Sequence, residues 1–339
     1  MQDAISENSS ACKTQRRLTF ALAESQRISN DRCMKLTAIA IMAFLRLAET
    51  ALAVVAISGG PNHTAPAGQP YFGNIGTIEK ASAIYLGDGW VLTANHVASS
   101  LPGSVNFGGT SFFTQPGTHT RLQNATPYST YTDIVLFRLS TLASFPALPA
   151  LGISSSTPTV GDGVMMIGNG RAQLAAPTYW NRTVIPGDNN DTWQETTPEL
   201  ANIFGYKTSG THEVRWGENA VDQNSLVVNM GTMAVPVHVV SFTSAFSFPG
   251  LPDEAQAVTG DSGGGVFRSS GGSWELAGMM FAVATHENQP DGSQTAVLGN
   301  LTAIADLSYY CEQIYAVIPE PSALVLALLG GLSLRRRRR

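Results

Sequence analysis

Cysteine is nearly absent from this chain: there are three in 339 residues, Cys12, Cys33 and Cys311. Two fall within the first 53 residues, a segment expected to be absent from the mature protein, so one remains, and one cannot close an intramolecular disulfide. Cross-links are excluded as a source of stability, and a core of about 260 residues has to supply it. Cys311 itself reads as a small buried apolar residue. Basic residues are scarce too. Between Val54 and Ile318 there are 8 Lys and Arg against 19 Asp and Glu, although the whole chain carries only −5 because its ends are basic. An acidic body excludes nucleic acid as a partner, since phosphate binding needs a basic footprint. Long apolar runs are missing as well. The stretches Leu36 to Leu45 and Ser322 to Leu334 fall short of the roughly 20 residues that span a bilayer as a helix.

Glycine and proline are plentiful, at 33 and 18, and 43% of residues are hydrophobic against 13% charged. That suits one or two packed domains joined by many turns. The apolar runs are short and separated by turn residues: 81–86, 90–93, 134–139, 164–167, 226–228, 235–240, 265–267 and 276–283. Such spacing predicts an all-β fold. Only 301–317 reads as a helix, with Leu307, Tyr310, Cys311 and Ile314 at i, i+3, i+4 and i+7. Residues 141–160, rich in Ser, Thr, Ala and Pro, read as a connection between two halves. A surplus loop is expected within 179–222, around Pro186-Gly187-Asp188-Asn189-Asn190-Asp191. Its oxygen-bearing side chains do not have the spacing of a calcium loop, so a solvated turn is expected and no metal site is assigned.

Three segments carry chemistry. Thr259-Gly260-Asp261-Ser262-Gly263-Gly264-Gly265 places a serine in a glycine-rich turn whose backbone N–H groups can converge on one point. Trp90-Val91-Leu92-Thr93-Ala94-Asn95-His96-Val97 ends an apolar strand on a histidine, and Tyr131-Thr132-Asp133-Ile134-Val135-Leu136 opens another with an aspartate. Serine is a poor nucleophile unless a base removes its proton, and histidine titrates in the right range to do so. The other histidines, His63, His119, His212, His238 and His286, have no comparable setting in the sequence.

In order and wording these segments resemble the trypsin/chymotrypsin-like serine proteases, over roughly residues 57–316. The resemblance implies two six-stranded antiparallel β-barrels with the active site between them and a short C-terminal helix. The first barrel would span 54–145, and the linker and second barrel 146–317. It further implies a triad of His96 as base, Asp133 as its orienting partner and Ser262 as nucleophile. The N–H groups of Gly260 and Ser262 would form the oxyanion hole, and Asp261 would order the turn by pairing with a freed N-terminal ammonium. Ala56-Ile57-Ser58-Gly59-Gly60 is similar to the family's start, so a cut after Ala56 is one source of that ammonium. Gln256, Phe281 and Val283 occupy the pocket positions. Gln256 argues against a cut after Arg or Lys, and Val283, where the family has glycine, favours small apolar residues. Phe281 removes a hydroxyl that in the family helps hold the aspartate.

Both ends read as addresses. Met34-Lys35, the apolar stretch and Ala51-Leu52-Ala53 have the three parts of a secretory signal, so residues 1–53 read as an extension plus signal with Met34 a candidate start. Residues 318–339 hold Pro319-Glu320-Pro321, an apolar stretch and five terminal arginines, and resemble the PEP-CTERM sorting signals of Gram-negative bacteria, processed by an exosortase. The expectation is an exported serine endopeptidase without cofactor, acting on protein or peptide. Its processing partners would be signal peptidase and exosortase, with membrane contact through the tail before processing. The alternatives are a surface-anchored binding protein that keeps the fold but not the activity, and an esterase. The His, Asp, Ser order is wrong for the esterase elbow.

Overall fold

The computed structural model describes residues 54–56, 62–185 and 190–318. The signal-like start, the PEP-CTERM-like tail, Ile57 to Gly60, and Asp188 with Asn189 lie outside the described residues.

Turn chemistry lays out the first half. Ala81–Gly87 and Trp90–Ala94 pair antiparallel with Gly87 opposite Trp90, which leaves a two-residue loop, Asp88-Gly89. Both loop residues have positive φ, 48° and 82°, as the tight hairpin turn that matches strand twist demands. Around this hairpin runs a seven-stranded antiparallel sheet. Its order is Thr110–Phe113, Ser104–Phe107, Ile75–Ile78, Ala81–Gly87, Trp90–Ala94, Tyr131–Arg138 and Thr120–Gln123. Trp90–Ala94 is buried along its whole length and Tyr131–Arg138 nearly so, which is why both read as continuous apolar runs.

The second half is a closed six-stranded barrel. Arg215–Asn229, His238–Ala245, Leu301–Asp306, Ser273–Ala284, Gly265–Ser270 and Gly163–Gly168 follow one another around it. A second tight hairpin, turned by Gly271 and Gly272 at φ 59° and 83°, joins the strands that flank the serine turn and the pocket wall. The described residues are thus mostly β-strand, with one short C-terminal α-helix among them, Leu307–Val317. One apolar cluster runs through both halves, from Ile84, Leu92 and Leu136 to Ile167, Phe267, Met279 and the helix residues Tyr310 and Ile314.

Two expectations are corrected. The helix does not begin at Leu301: Leu301–Asp306 is a barrel strand, and Asp306 caps the helix by accepting from the Ser308 N–H at 3.0 Å. The surplus in 179–222 is not mainly loop but sheet. Arg171–Gln173, Ile203–His212, Thr178–Thr183 and Thr192–Thr196 form an outer sheet, with Thr295–Val297 added to Ile203–His212. These strands are rich in Thr, Tyr and Trp, good strand formers that leave no apolar run to read. Asp191, a candidate oxygen ligand, instead meets Arg182 at 2.6 Å, which holds its carboxyl below the usual range.

Candidate active site

The histidine and aspartate are brought together by strand pairing. Ala94 lies opposite Ile134, so the residues just past one strand meet those at the start of the other. Asn95 N–H donates to the backbone carbonyl of Asp133 at 2.9 Å and His96 N–H to its Oδ1 at 2.9 Å. His96 Nδ1 lies 2.6 Å from Asp133 Oδ2. The carboxylate is buried, 4% exposed, while the imidazole is 41% exposed. An ionised carboxylate only accepts, so Nδ1 carries the proton and Nε2 is left as the ring's basic nitrogen. Beside Asp133, the Thr132 hydroxyl lies 3.2 Å from the Tyr310 hydroxyl, which burial pushes up to about 12.

The serine sits in a turn that is fixed from several sides. Asp261 N–H donates to Val258, Gly263 N–H to Met280 and Gly264 N–H to Asp261, at 2.8–3.0 Å. Gly260 has φ +102° and a Cβ there would lie 2.8 Å from both His212 Nδ1 and the Lys80 carbonyl, so neither conformation nor space admits a side chain. The N–H groups of Gly260 and Ser262 donate to no acceptor among the described residues, as an oxyanion site requires. Ser262 and His96 share one cavity, and no hydrogen bond joins their side chains among the described residues.

Asp261 is fully buried. Its Oδ1 accepts from Gly170 N–H at 2.7 Å and its Oδ2 from Val258 N–H at 2.8 Å. Burial nevertheless pushes it up to about 7, and among the described residues no cation pairs with it. Upstream, Val55–Ala56 pairs with Ala255–Gln256, and the Gln173 side chain clasps Ala56, accepting from its N–H and donating to its carbonyl at 3.1 Å.

The cavity, about 560 Å³, is lined by His96, Gly260, Ser262, Phe281 and Val283. Phe281 is the residue at a register shift between Met280 and Ala282, which turns its buried ring into the core beside the site. Gln256 does not line this cavity; it is buried under the Val55–Ala56 strand and donates from Nε2 to the Ala257 carbonyl. Four residues escaped the sequence reading. Lys80, Arg171 and His212 line the same cavity, so His212 does share the setting of His96. Ser82, buried between two alanines, donates from Oγ to the Gly260 carbonyl at 2.9 Å. Nothing in the local sequence marks it. Among the described residues no group of three His, Cys, Asp or Glu could hold a metal ion.

Residues 57–207 match the family model described as Trypsin. This supports a trypsin-like serine protease. The match contains His96 and Asp133 and stops before Ser262. No curated protein matches the chain. Among solved structures, the inactive form of the Rv3671c protease of M. tuberculosis is 13% identical, with 78% of this chain and 98% of that one covered and a TM-score of 0.43. Neuropsin, a serine protease of mouse brain, is 15% identical over 76% and 98% of the two chains, with a TM-score of 0.44. A mutant of human heparin binding protein is 12% identical over 77% and 97%, with a TM-score of 0.46.

Proposed function

We propose that this protein is an exported serine endopeptidase. Ser262 Oγ attacks the substrate carbonyl carbon and passes its proton to His96 Nε2. Asp133 holds the imidazolium, and the N–H groups of Gly260 and Ser262 take the charge developing on oxygen. The C–N bond then breaks as the proton moves from His96 to the leaving amine, and water hydrolyses the acyl-enzyme by the same route. The observation that carries this reading is the 2.6 Å contact between Asp133 and the Nδ1 of His96, whose ring lines the cavity that also holds Ser262 and Gly260. Val283 beside Phe281 supports a preference for small apolar residues before the cut bond.

Export is part of the proposal: a secretory signal ending at Ala53 and a PEP-CTERM tail, with signal peptidase and exosortase as processing partners. A cut after Ala53 fits the buried strand better than one after Ala56, which would remove the residue clasped by Gln173. Val54 is a β-branched residue at φ 43°, a costly conformation that a cut at its own N–H would release. The ammonium freed there would be the cationic partner that Asp261 does not have among the described residues.

Fluorophosphonate labelling of the intact protein and of Ser262→Ala, followed by a peptide-library digest, tests the reading. Labelling that depends on Ser262, together with peptide cleavage, supports it. Folded protein that neither labels nor cleaves points instead to an inactive, surface-anchored binder. That second reading is favoured by Phe281, since Asp133 has no hydrogen-bond donor to its side chain beyond His96 among the described residues.

A further inference from the structure

The charge of the cleft is opposite to that of the body. Nineteen acidic and eight basic residues lie between Val54 and Ile318, yet among the described residues the cavity is lined by Lys80, Arg171, His96 and His212 and by a single carboxylate, Glu79. Four of the eight basic residues, Arg182, Lys207, Arg215 and Arg268, pair with carboxylates. Arg121 and Arg138 donate to backbone carbonyls and lie over aromatic rings. That leaves Lys80 and Arg171, which have no carboxylate partner among the described residues, and both face the cavity.

Arg171 is held ready. Its backbone N–H donates to Thr259 at 2.9 Å, fastening it to the turn before Ser262, and its Nε donates to Thr208 Oγ1 at 3.2 Å. The two terminal nitrogens of its guanidinium have no partner among the described residues, so a planar two-pronged donor remains open. His212 stands directly opposite Arg171 on the neighbouring strand, with Nδ1 3.1 Å from the Asn169 carbonyl. Lys80 comes from the other half of the molecule, and its carbonyl and the His212 ring both abut Gly260. Two strands and a turn thus place unpaired positive charge around the oxyanion site, in a protein with acid to spare.

We propose that Arg171 and Lys80 form a subsite for a carboxylate of the substrate peptide, on either an acidic side chain or a free C-terminus. The apolar lining at Phe281 and Val283, from the barrel, then takes the small residue, while the basic lining takes the acid. This rests on the peptidase reading for its consequence in catalysis, and binding can be read without it.

The test uses the full-length protein with Ser262→Ala and fluorescein-labelled peptides that differ only by Glu or Gln near the cut bond, each amidated or with a free C-terminus. Fluorescence anisotropy should show the carboxylate-bearing member bound roughly fivefold to tenfold more tightly. Which pair differs tells the side chain from the C-terminus. The preference should fall to about one in Arg171→Gln with Lys80→Gln, and Arg171→Glu should favour a Lys peptide. Equal binding of all peptides, or a preference that survives the double substitution, overturns the subsite. On protein with Ser262 intact, the ratio of kcat/KM values should follow the binding ratio. Absence of labelling and cleavage there would sink the peptidase reading alone, because the anisotropy would still report the subsite.

Discussion

The Ser82 hydroxyl donates to the Gly260 carbonyl at 2.9 Å and accepts from the Asn169 N–H at 2.8 Å. Its backbone adds two more ties: Ser82 N–H donates to the Ser262 carbonyl at 3.0 Å, and its own carbonyl accepts from the Thr93 hydroxyl at 2.7 Å. Thr93 lies on the strand that delivers His96, so one buried serine couples the half that carries the base to the turn that carries the nucleophile. Ser82→Ala removes the two hydroxyl bonds and keeps the backbone ones. The expected result is a folded protein that has lost about 1–3 kcal/mol of stability, because the buried Asn169 N–H and the part-buried Gly260 carbonyl lose their partner. Fluorophosphonate labelling should slow about tenfold, with kcat falling and KM changing little, since the oxyanion donors are loosened rather than the pocket. Unchanged labelling in the folded variant would remove Ser82 from the positioning of the turn.

Gly260→Ala combines two penalties. The residue sits at φ +102°, and a methyl group would meet His212 Nδ1, the Lys80 carbonyl and the Asn169 carbonyl at 2.8–2.9 Å. On the sequence alone the substitution only misdirects one amide, so the variant is expected to fold and cut poorly. The geometry adds a loss of about 1–3 kcal/mol from backbone strain and displaced neighbours. Thermal unfolding and labelling measured on the same sample should therefore both fall. A variant with wild-type Tm would mean that the turn relaxes without strain.

Asp261 ties stability to pH in a chain that extends upstream of Val54. Its carboxyl is raised from 3.8 to about 7 in the folded state, so between those values the fold keeps a proton that the unfolded chain has released. Stability from this group is complete below 3.8 and is lost as pH rises towards 7. Asp261→Asn cannot titrate there. Unfolding temperatures of wild type and variant across this window should diverge in slope, with wild type declining more steeply as pH rises. In a chain that begins at Val54, an ammonium reaching Asp261 would reverse the sign, because the paired carboxylate would then be the stable form. Parallel slopes in the upstream-extended protein would show that the buried carboxyl does not govern the window.

What could be read from the sequence depended on whether local wording and burial coincide. His96, Asp133 and Ser262 stand out in the sequence because each sits at an edge of an apolar run or in a glycine turn, whereas the hairpins at Asp88-Gly89 and Gly271-Gly272 emerge only with the strand pairing. Leu301–Asp306 was hidden by its neighbour: the helical spacing belongs to residues from Leu307 onward, and the strand before it is buried at five of six positions, which leaves no alternation. Arg171 and His212 were hidden because they lie on polar strands whose register only the outer sheet defines. Ser82 was hidden for a different reason. A serine in a buried strand becomes informative only once the groups its hydroxyl must satisfy are known.

Val283 lies at the edge of the cavity on the strand that also carries Phe281, half-buried and packed against the barrel core. A β-branched side chain there occupies volume that a glycine would leave to the substrate, and removing it adds apolar-walled space next to Ala257 and Val258. Val283→Gly should therefore widen the range of residues accepted before the cut bond. The kcat/KM for a Phe-containing peptide should rise relative to the Ala-containing one by about tenfold to a hundredfold, the range that a few methylenes in a pocket command. The strand loses a good strand former, so unfolding should shift by about 1 kcal/mol or more. A digest of one peptide library by both proteins separates the two effects, since lost stability lowers all cleavages together while a widened pocket reorders them. An unchanged order would place the pocket for that residue elsewhere in the cavity.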